Sequence, residues 1–140
     1  EKKPEIFIDL HCPWKWGDSD DISSQRNNNV FFMKRMPPIR EEVEKLGQCL
    51  QRAILNESDP DKVIYYGKYD MSIGEEWFKP ETPCSTKFFE KIGARISVTC
   101  EYTYFGTGNM IITQSNSRGF GRNLSIALNE YIEKCVVNSC

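Results

Sequence analysis

The chain has a single histidine, His11, in 140 residues. That scarcity limits the chemistry it can do alone, because histidine is the usual base near neutral pH and the commonest metal ligand. A serine–histidine–aspartate triad must use His11, and a zinc site built from several histidines is excluded within this chain. No C-x-x-C pair occurs among the six cysteines Cys12, Cys49, Cys84, Cys100, Cys135 and Cys140, which argues against a zinc ribbon or a thioredoxin-type motif. No apolar run approaches the ~18–20 residues of a membrane-spanning helix, so no membrane partner is expected. No signal peptide is visible, and the chain starts at Glu1 rather than Met, from which a processed or truncated N-terminus is expected. Positive charge is not in excess either. Eighteen Lys and Arg against 20 Asp and Glu give a net charge of −2, which argues against a general nucleic-acid binder.

What is present fits one ordinary domain spanning 1–140. Hydrophobic residues make up 39% and charged residues 27%, enough for one buried core. The even cysteine count permits disulfides, with Cys135 and Cys140 as candidates; buried free thiols are the alternative. Asn56-Glu57-Ser58 and Asn123-Leu124-Ser125 match the glycosylation sequon, a match that often arises by chance. The compartment stays open.

Residues 5–10 read as a buried strand of β-formers, with Pro4 before and Pro13 after. Residues 15–29 are polar and read as a loop, and 30–34 as a short strand. Pro37 and Pro38 suit the entry to a helix over about 39–55. Its Val43, Leu46, Leu50, Ala53 and Ile54 form one apolar stripe. Residues 63–66 read as a short strand or loop, and 67–84 as a long irregular segment, which is usually functional or mobile. Residues 85–92 read as a helix capped by Ser85. The strongest strand runs from Ala94 to Tyr104, with Ile96, Val98, Cys100, Tyr102 and Tyr104 alternating against Ser97, Thr99, Glu101 and Thr103. A final helix is expected from Asn116 or Ser117 to about 134, with Phe120, Leu124, Ala127, Leu128, Tyr131 and Ile132 on one face. Strands separated by helices predict an α/β domain with a mixed sheet flanked by helices. With only three or four strands and no helix before the first, the sheet reads as part of a larger one.

Four places could carry chemistry. His11 ends the first strand, where α/β enzymes place ligands and catalytic groups; a hydrogen-bonded structural histidine is the plainer alternative. Asp9 is expected to point to the opposite face and to be structural. Glu101 sits inside a run of β-formers, where a carboxylate is costly to bury unpaired. It is a general-base candidate if its face lines a cleft, and merely solvated if Ser97, Thr99 and Thr103 mark an open face. Gly106-Thr107-Gly108 is a turn that lacks the rest of a phosphate-binding fingerprint. Trp14, Trp16 and Trp77, with Tyr65, Tyr66 and Phe78, could form a pocket wall, a partner surface or core under the loops.

Two segments resemble one family. Phe7-Ile8-Asp9-Leu10-His11 is similar to the strand that delivers the third zinc ligand in the zinc metallocarboxypeptidases, the carboxypeptidase A-like peptidases. Cys100-Glu101-Tyr102-Thr103-Tyr104-Phe105 is similar to the later strand bearing the catalytic glutamate. Phe105-Gly106-Thr107-Gly108-Asn109, Ile112-Thr113 and Ser117-Arg118-Gly119-Phe120-Gly121-Arg122 resemble the approach to the family's last helix. The order also agrees: histidine strand, helix, irregular segment, helix, glutamate strand, terminal helix. The resemblance covers the C-terminal half of the catalytic domain. It implies a partial zinc-carboxypeptidase-like (phosphorylase/hydrolase-like) fold, His11 as a zinc ligand and Glu101 as the base. It also implies zinc as cofactor, a peptide substrate and hydrolysis next to a free C-terminus. The family's upstream His-x-x-Glu ligand pair and carboxylate-binding arginines have no counterpart here, so the isolated chain is expected to be inactive. One alternative is a non-catalytic domain of the same fold that binds a partner or glycan through its Trp-rich loops. Another uses Cys12 as a nucleophile, which is poor because Cys12 and His11 are adjacent on a strand and point apart. A truncated sheet exposes an edge, from which homo-oligomerisation is expected.

Overall fold

The strongest apolar alternation in the chain becomes a strand interior to a sheet. Ile96–Glu101 (β4) is buried at every position, flanked on one side by Ile6–His11 (β1) and on the other by Phe31–Lys34 (β2). Met71–Ser72 (β3) completes the order β1-β4-β2-β3. β1 runs parallel to β4, β2 antiparallel to β4, and β3 parallel to β2. The sheet is therefore mixed, as the sequence predicts. The computed structural model describes residues 5–12, 26, 28–76, 78–81, 83–103, 106–107 and 110–136.

Among the described residues three helices of more than one turn pack against the sheet. Ile39–Leu55 (α1) follows Pro38 at its N-cap and buries Val43, Leu46, Leu50, Ala53 and Ile54, the predicted stripe. Ser85–Lys91 (α2) is short. Gln114–Tyr131 (α3) buries Phe120, Leu124, Ala127 and Tyr131 and runs into a π-helical turn at Ile132–Val136. α1 and α3 pack together against the face that presents Phe32, Ile96, Val98 and Cys100, which forms the main core. Glu42 of α1 accepts hydrogen bonds from Arg95, just before β4, and from Tyr131 at the end of α3, fastening both to α1.

Side chains alternate across a strand, so the remaining β4 residues face the other way. On that second face lie Ser97, Thr99 and Glu101, beside Phe31 and Met33 of β2. The open, solvated face suggested by their polarity is not found. α2 lies over it, with the Phe7 and Phe89 rings stacked at 3.8 Å and the Ser97 hydroxyl donating to the Thr86 carbonyl at 2.7 Å. Phe78 and Met71 join Phe31 and Met33 in a second, smaller core. The segment expected to be irregular thus supplies β3 and a core aromatic.

Helix ends differ from the sequence expectation for a physical reason. α3 starts at Gln114 because Thr113 caps it reciprocally. The Asn116 amide donates to the Thr113 hydroxyl, and the Asn116 side chain accepts from the Thr113 amide. Ser85 does not cap α2, because its hydroxyl is directed to Asp9. Residues 63–66 form no strand; Tyr65 makes an isolated bridge to Val30. Gly106–Thr107 (β5) and Met110–Ile111 (β6) form a two-stranded antiparallel pair around the predicted turn. Cys12, Cys49, Cys84 and Cys100 are free thiols, and the Cys140 half of the candidate disulfide lies outside the described residues. Asn123 is only 2% exposed, so the second sequon is closed to glycosylation in the fold. Trp14, Trp16, Trp77, Tyr104 and Gly108 also lie outside the described residues.

Candidate active site at the ends of two parallel strands

His11 and Glu101 are the last residues of β1 and β4, and they are partners in the parallel register. Partners in register project to the same face, so the two side chains stand next to one another on the second face of the sheet. The Tyr102 amide donates to the His11 carbonyl at 2.7 Å, which continues the ladder past both residues and fixes their relative height. Ninety residues of sequence separate them, and only strand pairing brings them together.

Their environments differ. The His11 side chain is 65% exposed and open to ligands. Glu101 is 4% exposed, and its Oε2 is buried with no hydrogen-bond partner. An unpartnered buried acceptor costs roughly 1–3 kcal/mol, more when charged, and Glu101 Oε2 shares this state with one other side-chain atom among the described residues, Arg35 Nη1. Burial pushes the Glu101 carboxyl above the ordinary carboxylate range; nearby His11 pulls it down, and Asp9 pushes it up. A carboxyl raised in this way holds a proton more readily than an exposed one.

Asp9 is on the same face as His11, not the opposite one. Two steps along a strand return a side chain to its starting face, and the Asp9 Oδ2 lies 4.0 Å from the His11 Nδ1. The Ser85 hydroxyl donates to that same Oδ2 at 2.8 Å. Thr99, the register partner of Asp9, fills the neighbouring position of β4 and is 7% exposed. Sequence reasoning missed Asp9 and Ser85 as members of the site. The D-x-H spacing was a readable signal for Asp9, whereas nothing local marks Ser85.

Other predicted features fall elsewhere. Tyr65 is buried on the first face, where its hydroxyl donates to Asp70. Cys12 is exposed, next to His11 in sequence but outside the strand. Arg35 is buried on the second face against Phe78, its Nε donating to Glu90 at 2.8 Å, while its buried Nη1 has no partner. Among the described residues no group of three His, Cys, Asp or Glu side chains is placed to hold a metal ion. Comparison with protein families, curated proteins and solved structures returns no match for the chain.

Proposed function

We propose that this chain is the C-terminal half of a zinc metallocarboxypeptidase-like catalytic domain, with a phosphorylase/hydrolase-like fold. In it His11 is one metal ligand and Glu101 the general base. The observation that carries the proposal is the register pairing of His11 with a buried Glu101 whose Oε2 lacks a partner. The order of elements, from histidine strand to terminal helix, agrees with it.

The donors present fit part of a catalytic zinc site. Such a site takes three protein ligands, commonly two histidines and a glutamate, and keeps a position open. His11 is exposed at a strand end and supplies one imidazole. The remaining two ligands would come from a His-x-x-Glu pair upstream of this chain. When bound, zinc polarises the scissile carbonyl and lowers the pKa of water.

Glu101 takes a proton from the attacking water and delivers it to the leaving amine, and its burial makes it a stronger base than an exposed carboxylate. α2 and Phe78 cover the face behind it and keep bulk water from that side. The 140-residue chain alone lacks hydrolytic activity, because one ligand cannot hold the metal.

The test joins this chain to the segment that precedes it in the parent polypeptide. The joined protein should bind zinc and cleave a peptide with a free C-terminus, sparing the same peptide with an amidated end. Hydrolysis by the 140-residue chain alone, or a parent without a His-x-x-Glu pair, contradicts the proposal.

A further inference from the structure

A second polar cluster lies on the other face of the sheet, the one that α1 covers. There Lys34 at the end of β2, Glu44 of α1, Tyr65 and Asp70 line a cavity of about 200 Å³. The Lys34 Nζ lies 3.2 Å from the Glu44 Oε1 and 3.5 Å from the Asp70 Oδ2. Glu44 stands exposed at the rim, while the side chains of Lys34 and Asp70 are 12% and 4% exposed. One ammonium thus sits between two carboxylates. An incoming anion meets Glu44 and Asp70, and an incoming cation meets Lys34, so charge of either sign is disfavoured. Hydrogen-bonding capacity remains, because an ammonium has three N–H donors and a carboxylate about four acceptor positions.

A separate observation at Gly67 shows where that capacity is aimed. A Cβ on Gly67 would lie 3.6 Å from the Tyr65 hydroxyl oxygen, 3.7 Å from the Gln51 Nε2 and 4.0 Å from the Asp70 Oδ2. Polar atoms from three side chains therefore converge on one point of the cavity wall, with no side chain of residue 67 between them. Gly67 opens the 3-10 turn Gly67–Tyr69, a conformation that does not demand glycine. The Tyr65 hydroxyl donates to Asp70 and can still accept. Among the described residues Gln51 makes no hydrogen bond, so its amide both donates and accepts freely.

We propose that this cavity binds one small neutral molecule carrying adjacent hydroxyl groups, a hexose or an open-chain hexitol. A hydroxyl both donates and accepts, which is what mixed donors and acceptors without excess charge require. One hydroxyl donates to the Asp70 Oδ2 and accepts from the Gln51 Nε2, and its neighbour accepts from the Lys34 Nζ and donates to Glu44. The cavity has room for about half a dozen waters, which a six-carbon polyol would displace. The site shares no residue with the His11–Glu101 pair and does not rest on the peptidase reading.

NMR titration of the ¹⁵N-labelled 140-residue chain, followed at its glycine and glutamine amide signals, tests this. Glucose and sorbitol are the ring and open-chain probes, cyclohexanol carries a single hydroxyl, and glucosamine and glucuronate add a positive and a negative charge. Glucose, sorbitol or both should give saturable shifts at millimolar concentration. Cyclohexanol, glucosamine and glucuronate should each bind at least about tenfold more weakly than the better polyol. Gly67→Ala places a methyl group at the point of convergence and should weaken that polyol by at least about tenfold. Gln51→Leu, at a half-exposed position of α1, reads the same contact without touching the turn and should weaken it about three- to tenfold, the worth of one hydrogen bond. No saturable binding of either polyol, tighter binding of a charged analogue, equal binding of cyclohexanol, or polyol binding that Gln51→Leu leaves unchanged overturns the inference.

Discussion

Tyr65 donates its hydroxyl to the Oδ2 of Asp70 at 2.8 Å, while the Oδ1 of Asp70 accepts the Phe32 amide at 2.9 Å. One carboxylate thus ties the turn at Gly67–Tyr69 to the start of β2. Lys34 stands 3.5 Å away, and a cavity of about 200 Å³ opens between this cluster and α1.

Burial raises the Asp70 carboxyl from 3.8 to about 6, against the pull of the Phe32 amide, Tyr65 and Lys34. The folded state therefore binds this proton more tightly than the unfolded chain. The stability it contributes is complete below pH 3.8 and is lost as pH rises through 6. From pH 4 to pH 7 the unaltered chain should lose on the order of 2 kcal/mol relative to Asp70→Asn. Urea unfolding of both proteins at the two pH values measures the difference; a gap that does not change with pH contradicts it.

Gly47 faces the same tyrosine. A Cβ at Gly47 would lie 2.6 Å from the Tyr65 hydroxyl oxygen and 3.3 Å from its ring. Alanine in place of glycine ordinarily gains about 1 kcal/mol in a helix. Here the ring is buried and held by Asp70, so overpacking outweighs that gain. Gly47→Ala should destabilise by about 1–2 kcal/mol. In a Tyr65→Phe background, which removes the closest atom, the cost should fall by at least half. A double-mutant cycle in denaturant reads the coupling.

Among the described residues the outer side of β1 is an edge of the four-stranded sheet, and Leu10 on β1 is 66% exposed. Apolar residues on both faces of an edge strand are the composition of a strand meant to be covered. The isolated chain should self-associate across this edge, and the joined protein should not. Light scattering distinguishes the two; a monomeric isolated chain at high concentration contradicts the expectation.

Local pattern made much of the fold readable. The apolar stripe of α1 from Val43 to Ile54 and the alternation of Ile96, Val98 and Cys100 are direct imprints of helical and strand periods. β3 was not readable, because two residues cannot display a period. The covering of the second face was not readable either. Ser97, Thr99 and Glu101 look solvated in sequence, and only the docking of α2 and Phe78 buries them. At the candidate site, residue types single out His11 and Glu101, but their juxtaposition comes from a parallel pairing between distant strands. Asp9 was misplaced by one step of alternation, and Ser85 reaches it from a different element altogether.

The central claim is that Glu101 moves the proton at a site where His11 holds the metal. It is tested most directly in the joined protein by comparing Glu101→Gln with His11→Ala, measuring bound zinc and peptide hydrolysis together. Glu101→Gln should keep its zinc and lose about 10²- to 10⁴-fold in kcat, whereas His11→Ala should lose the zinc itself. A Glu101→Gln protein that hydrolyses at the unaltered rate, or a His11→Ala protein with its zinc in place, contradicts the account.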